Sequence, residues 1–189
     1  RLPSSSRRLI RGSITHIAER KRNEAIASGE RRVFEKIAAN APLPETLGAI
    51  AEVIERVMEG AACAINLLDQ DSNCLMFGVA PSLPRGFVAA MDACPVGARY
   101  GSCAAAVFLM RAVIVADIGS DALWEFRREA AAIAGLRSSW SLPVVASNGV
   151  VVGTIAVYRR EPGTPAQRDQ ELTARMSQLA SIAIERRRS

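Results

Sequence analysis

Apolar and polar positions alternate most tellingly in the C-terminal third of the chain, where two β-branched runs, 142–146 and 150–158, flank Asn148-Gly149. Asn-Gly between apolar runs is the strongest short-range hairpin signal, because both residues tolerate positive φ. The second arm, VVVGTIAVY, is apolar almost throughout, which predicts a strand covered on both faces in the middle of a sheet. Gly153 within it leaves room for a close neighbour or a bulge.

The remaining pattern supplies helices to cover that hairpin. Residues 14–40 are helix-forming, with Ile14, Ile17, Val33, Phe34 and Ile37 separated by a charged middle that Gly29 weakens. A helix that is polar over several turns bridges domains or pairs with a copy of itself. The Ser/Arg-rich residues 1–12 read as a loop or as the remnant of an upstream strand. After Pro42 and Pro44 a helix is expected over 45–59, with Leu47, Ile50, Ile54, Val57 and Met58 on one face and Gly60 as its cap. Strands at 63–68 and 74–80 follow, joined by the turn 69–73, and 87–91 reads as a short helical stretch over the sheet. Next come a buried helix over 102–110, a strand over 113–116 and an amphipathic helix over 121–134 offering Leu123, Trp124 and Ile133 for burial. Pro165 opens the last helix, in which Leu172, Met176, Leu179 and Ala183 step like a seam for a partner helix. The sum is an α+β layout: an antiparallel sheet with the two terminal helices on one face and small helices enclosing a hollow on the other.

Composition narrows the class. The 189 residues, 49% hydrophobic and 23% charged, suit one domain with helical extensions. No apolar run approaches the ~20 residues of a membrane span and the first residues lack a secretory core, so a cytoplasmic protein without a membrane contact is expected. A chain that begins with Arg1 and ends on a charged run reads as a piece of a longer polypeptide. The net charge of +5 divides into +6 over residues 1–40, −4 over 41–158 and +3 over 159–189. The basic ends carry no interleaved aromatics for base stacking, which argues against nucleic acid and for solvated helix faces. Cys63, Cys74, Cys94 and Cys103 form no C-x-x-C pair and the single histidine, His16, lies far off, so free packed thiols are expected and a metal site is not.

Within 96–160 the ordered segments GSCAAAVF, VIVADIGSDALW, GLRSSWSLPV and GVVVGTIAVYRREP resemble a bacterial GAF domain, and the likeness runs from about residue 45 to 186. ITHIAERKRNEA, upstream, resembles the segment that links a PAS domain to its next module. The resemblance implies a linker helix over 1–40 after a PAS-like module and a GAF domain with a C-terminal signalling helix over 41–189. It further implies small-molecule sensing, a homodimer formed through the terminal helices, and a downstream output domain in the same chain. Such outputs are diguanylate cyclases or phosphodiesterases of cyclic-di-GMP signalling, or the histidine kinases of two-component systems.

The pocket residues expected from this reading are Tyr100, Gly101, Ser102, Cys103, Asp117, Trp124, Arg137, Ser139 and Ser141. Gly101 and Ser102 open a helix whose first N–H groups suit a carboxylate, phosphate or carbonyl oxygen, as any helix start does. Arg137, Ser138, Ser139 and Ser141 either face the pocket or solvate a strand edge. Asp117 either orients a ligand donor or caps the next loop, and Trp124 either stacks on a planar ligand or is core. Cys103, in a first helical turn, is the most suggestive thiol, and a redox sensor built on it is one alternative. Bilin and haem are disfavoured, because Ala104 stands where a bilin-binding GAF carries histidine and the domain has no other. LRSSWSLP departs from the segment that binds substrate in free methionine sulfoxide reductases, and the asparagine, lysine, phenylalanine, aspartate and glutamate signature of cyclic-nucleotide GAF domains is not found. The expected protein is therefore non-catalytic and cofactor-free, sensing an unidentified small molecule. The alternative is a ligand-free GAF acting as a dimerisation spacer.

Overall fold

In the computed structural model, which describes residues 3–188, the hairpin is β5 (Ser138–Val145) and β6 (Val151–Arg159), and β6 lies mid-sheet between β5 and β1 (Ala62–Asp69). With β2 (Cys74–Val79), β3 (Cys94–Pro95) and β4 (Val113–Val115), the six strands run in the order β3-β2-β1-β6-β5-β4, each pair antiparallel. The turn differs from the Asn-Gly expectation. Ala146 donates to Val150 O, Gly149 donates back to Ala146 O, and Gly149 alone takes positive φ, which makes a three-residue loop over 147–149. Gly153 meets both expectations placed on it. A Cβ there would collide with the backbone carbonyl of Asn66 on β1, and the β5–β6 register shifts at Val144/Val145, opposite Gly153 and Val151.

One face is covered by α1 (Ser4–Ala38), α2 (Leu43–Val57) and α6 (Gln167–Arg188). Helix continues through 4–12, so the loop expected there is corrected; Arg1, Leu2 and Ser189 lie outside the described residues. Nothing breaks this N-terminal stretch, and a helix once nucleated extends through Ser and Arg at little cost. Gly29 does not weaken α1 but lets it approach α2, since a Cβ there would collide with Val53. α2 starts at Leu43, two residues earlier than its expected start, with Pro44 in the first turn where its missing N–H costs nothing. The seam Leu172, Met176, Leu179 and Ala183 is also reassigned. All four are buried in the chain's own core against the sheet and α2, so they are not free for a partner helix.

The other face carries α3 (Arg85–Met91), α4 (Ser102–Leu109), a 3-10 turn at Ala122–Trp124 and α5 (Arg128–Ile133). The single helix expected over 121–134 is split in two. Asp121 accepts from the Leu123 N–H and caps the short turn, Trp124 is driven inward, and Ile133, expected to be buried, stands exposed. No helix of the described residues is long and apolar enough to cross a membrane.

Candidate functional site

The site is built where α4 meets β5. Gly101 holds φ +103°, a conformation that L side chains rarely adopt, and donates its N–H to Leu123 O at 2.8 Å, which turns the chain into α4 beside Trp124. Ser102 then lies directly over β5. That strand alternates: Trp140 and Val144 enter the core beneath α6, while Ser139 and Ser141 point to α4. Both hydroxyls donate to Ser102 Oγ, at 3.0 and 2.9 Å.

Cys103 extends this cluster. Its Sγ lies 3.4 Å from Ser141 Oγ and 3.7 Å from Tyr158 Oη, and accepts from Asn66 Nδ2 at 3.4 Å. Asn66 also donates to Thr154 Oγ1 at 3.1 Å. Six residues from β1, β5, β6 and α4 thus form one buried polar network around a thiol, and burial strengthens such bonds as long as they are made. Phe87 and Trp124 close over it edge-on to Tyr158, at 5.5 and 6.2 Å between ring centroids. The indole N–H of Trp124 is wholly buried and has no hydrogen-bond partner among the described residues.

Burial governs acidity here. Desolvation pushes the Tyr158 phenol and the Cys63 thiol well up, with the Cys103 thiol adding to it at Tyr158 and the Glu55 carboxylate at Cys63, and lifts Cys94 from 9.0 to about 11. These groups are neutral at physiological pH. Among the described residues no group of three or more His, Cys, Asp or Glu is placed to hold a metal ion.

The hollow expected beside Ser102 and Cys103 is almost filled. A cavity of about 10 Å³ remains, lined by Asn66, Leu75, Phe77, Met91, Cys94, Cys103 and Tyr158, which is room for one water at most. Met91 from α3 and the aromatic lid occupy the rest. Of the nine residues singled out in the sequence, the structure brings Ser102, Cys103, Ser139 and Ser141 into the network, with Gly101 and Trp124 against it. Asp117 and Arg137 pair with each other at 3.1 Å on the surface, where Asp117 also accepts from the Gly119 N–H. Tyr100 packs on Phe126, 5.3 Å between ring centroids, outside the network. Asn66, Thr154, Tyr158 and Cys94 were missed. A polar residue within the apolar run CAINLL, and tyrosine at the end of an apolar strand, were the available signals.

A sequence model of the GAF domain matches residues 40–185. The chain belongs to the GAF family. This GAF domain is 33% identical over 174 residues to the methyl sulfide methyltransferase-associated sensor of Methanosarcina acetivorans, a match covering 92% of this chain and 17% of that protein. Its fold is shared with the GAF domain of a phosphoenolpyruvate-protein phosphotransferase from Coxiella burnetii (TM-score 0.71, 13% identity, 87% of this chain and 95% of that one). A domain assigned to a two-component sensor histidine kinase of Sinorhizobium meliloti is also similar (TM-score 0.62, 18% identity, 77% and 92%).

Proposed function

We propose that this GAF domain is the sensory module of a longer signalling protein, in which a small molecule bound at the Ser102–Trp124 cluster repositions the terminal helices of a homodimer. The observation that carries the reading is that both faces of the sheet are wired through the same strands. On β5, Ser139 and Ser141 face the cluster, while Trp140 between them donates to Thr173 of α6 at 3.4 Å. On β6, Tyr158 faces the cluster and its neighbour Arg159 reaches Asp169 of α6 at 3.3 Å. Asp169 also holds Arg22 of α1 at 2.9 Å, so one carboxylate joins the incoming and outgoing helices to the sheet. A ligand that moves Ser141 or Tyr158 moves residues that grip both helices.

The buried indole N–H of Trp124 supports a ligand with an oxygen acceptor, because an unpartnered buried donor is repaid by any acceptor that reaches it. Entry requires Met91 and Phe87 to swing away with α3. The relative named a sensor supports signalling as the role; the output proposed for it is a histidine kinase, a diguanylate cyclase or a phosphodiesterase. The test is hydrogen exchange and thermal denaturation of the purified chain against fractionated metabolites. A fraction that raises the melting temperature and alters exchange at both α4 and the first turn of α6 is expected; protection confined to the surface refutes the wiring.

The 10 Å³ interior favours a second reading, a GAF domain that has given up its ligand and serves as a dimerising spacer. That reading expects no thermal shift from any fraction and an unchanged dimer.

A further inference from the structure

Where β1 begins and β6 ends, on the α3 side of the sheet, a second cleft of about 240 Å³ opens between residues 60–62, residues 82–84, Leu136, Tyr158 and Arg160. Its lining is polar and apolar in about equal parts, and the apolar part is the outer edge of three core residues, Leu83, Leu136 and Tyr158. Its one charge is Arg160.

That guanidinium is seated but uncompensated. Nη1 donates to Ala134 O at 3.2 Å, over Gly135, where a Cβ would stand only 2.7 Å from the same nitrogen. Two nearby arginines have carboxylate partners, Arg137 pairing with Asp117 and Arg159 sharing Asp169 with Arg22, whereas Arg160 forms no ion pair among the described residues. Glu55, bonded to the cleft residue Ser82 at 2.7 Å and accepting from the Cys63 N–H at 2.9 Å, does not pair with Arg160. A positioned guanidinium with free N–H groups at the rim of a cleft that is half apolar recognises a carboxylate carrying a short hydrocarbon tail. The volume lies below the usual range for drug-sized ligands, which limits that tail to a few carbons.

We propose that this cleft binds small monocarboxylates, with the acid on Arg160 and the tail on Leu83, Leu136 and Tyr158. The site is separate from the Ser102 cluster and stands whether or not that cluster takes a ligand. Tyr158 is the wall between the two: one side of the residue lines the cleft, while its hydroxyl lies 3.7 Å from Cys103.

The experiment titrates the ¹⁵N-labelled chain with butyrate, with butyramide and with sulfate, following amide and Arg Nε shifts. Butyrate is expected to shift Ala61, Ala62, Leu136 and Arg160 saturably, with butyramide at least tenfold weaker. Sulfate, which offers charge without a tail, is expected to be weaker than butyrate, by a margin that shrinks in Leu83→Ala. Arg160→Gln is expected to cut butyrate affinity at least tenfold with the rest of the spectrum unchanged, and Arg160→Lys to recover part of it. Equal shifts from butyramide, butyrate affinity unaffected by Arg160→Gln, sulfate equal to butyrate, or shifts located elsewhere each overturn the assignment. A null result with metabolite fractions at the Ser102 cluster leaves these readouts untouched, so the two readings fail separately.

Discussion

At Ser102 two hydroxyl donors converge on one oxygen in a buried interior, so the side chain matters more than its size implies. Ser102→Ala strands Ser139 and Ser141, and we expect a loss of about 1–3 kcal/mol in chemical denaturation with the fold intact. The same interior sets an alkaline limit. Cys94 holds its proton up to about 11 in the folded chain against 9.0 ordinarily, and Tyr158 and Cys63 are shifted in the same direction. The folded state therefore binds more protons than the unfolded one in that interval. The stability Cys94 contributes is complete below pH 9 and is lost as pH rises through about 11. Melting temperature should fall across this window, and Cys94→Ala should make the fall shallower. Of this cluster the sequence shows the serines, because polar residues leading into an apolar strand stand out. It does not show which face they take, since that depends on a strand starting at Ser138 and on Trp140 being claimed by α6.

Among the elements, the joint at Asp169 ties α1 to α6 and to the end of β6. Arg22 also donates to Val57 O and Arg168 O, so α1 is held to α2 and α6 through one guanidinium. Asp169→Asn removes the charge that compensates Arg22 and Arg159. We expect a cost of about 2 kcal/mol, below that of a fully buried pair because Arg159 is 36% exposed. Amide exchange in α1 around residue 22 should accelerate while the sheet stays protected, and uniform acceleration would show that the joint is merely one more contact. Periodicity made α2 and α6 legible as helices, yet the α6 seam was assigned to a partner that turned out to be the chain's own sheet. Heptad-like spacing reports an apolar stripe and is silent on what covers it.

At the scale of the molecule, the apolar stripe of the N-terminal part of α1 is left exposed by the described residues. Ile10, Ile14 and Ile17 are 49%, 61% and 53% exposed, and at ~100° per residue they lie about half a turn around the axis from Ile26, Val33 and Ile37, which dock on the domain. This stripe is thus directed away from its own GAF body, and a second copy is the occupant the proposed homodimer requires. Light scattering of the chain should give twice the 20.2 kDa protomer mass at high concentration, with Ile14→Asp shifting the equilibrium to monomer. A monomer at all concentrations would remove dimeric transmission through α1.

Most of the order of helices and strands, the covered hairpin and the GAF resemblance were determined by the sequence itself; the two-residue strand β3 and the division of 121–134 into a 3-10 turn and α5 were not. Apolar periodicity, Asn-Gly chemistry and proline placement are local properties, and local properties are written in adjacent residues. The tertiary structure alone decided that the expected hollow is closed by Met91 and the aromatic lid. It likewise decided that Asp117 and Arg137 neutralise each other at the surface, and that Asn66, Thr154, Tyr158 and Cys103 meet. These outcomes depend on side-chain volume and on contacts between strands far apart in the chain, and no window of sequence contains both partners.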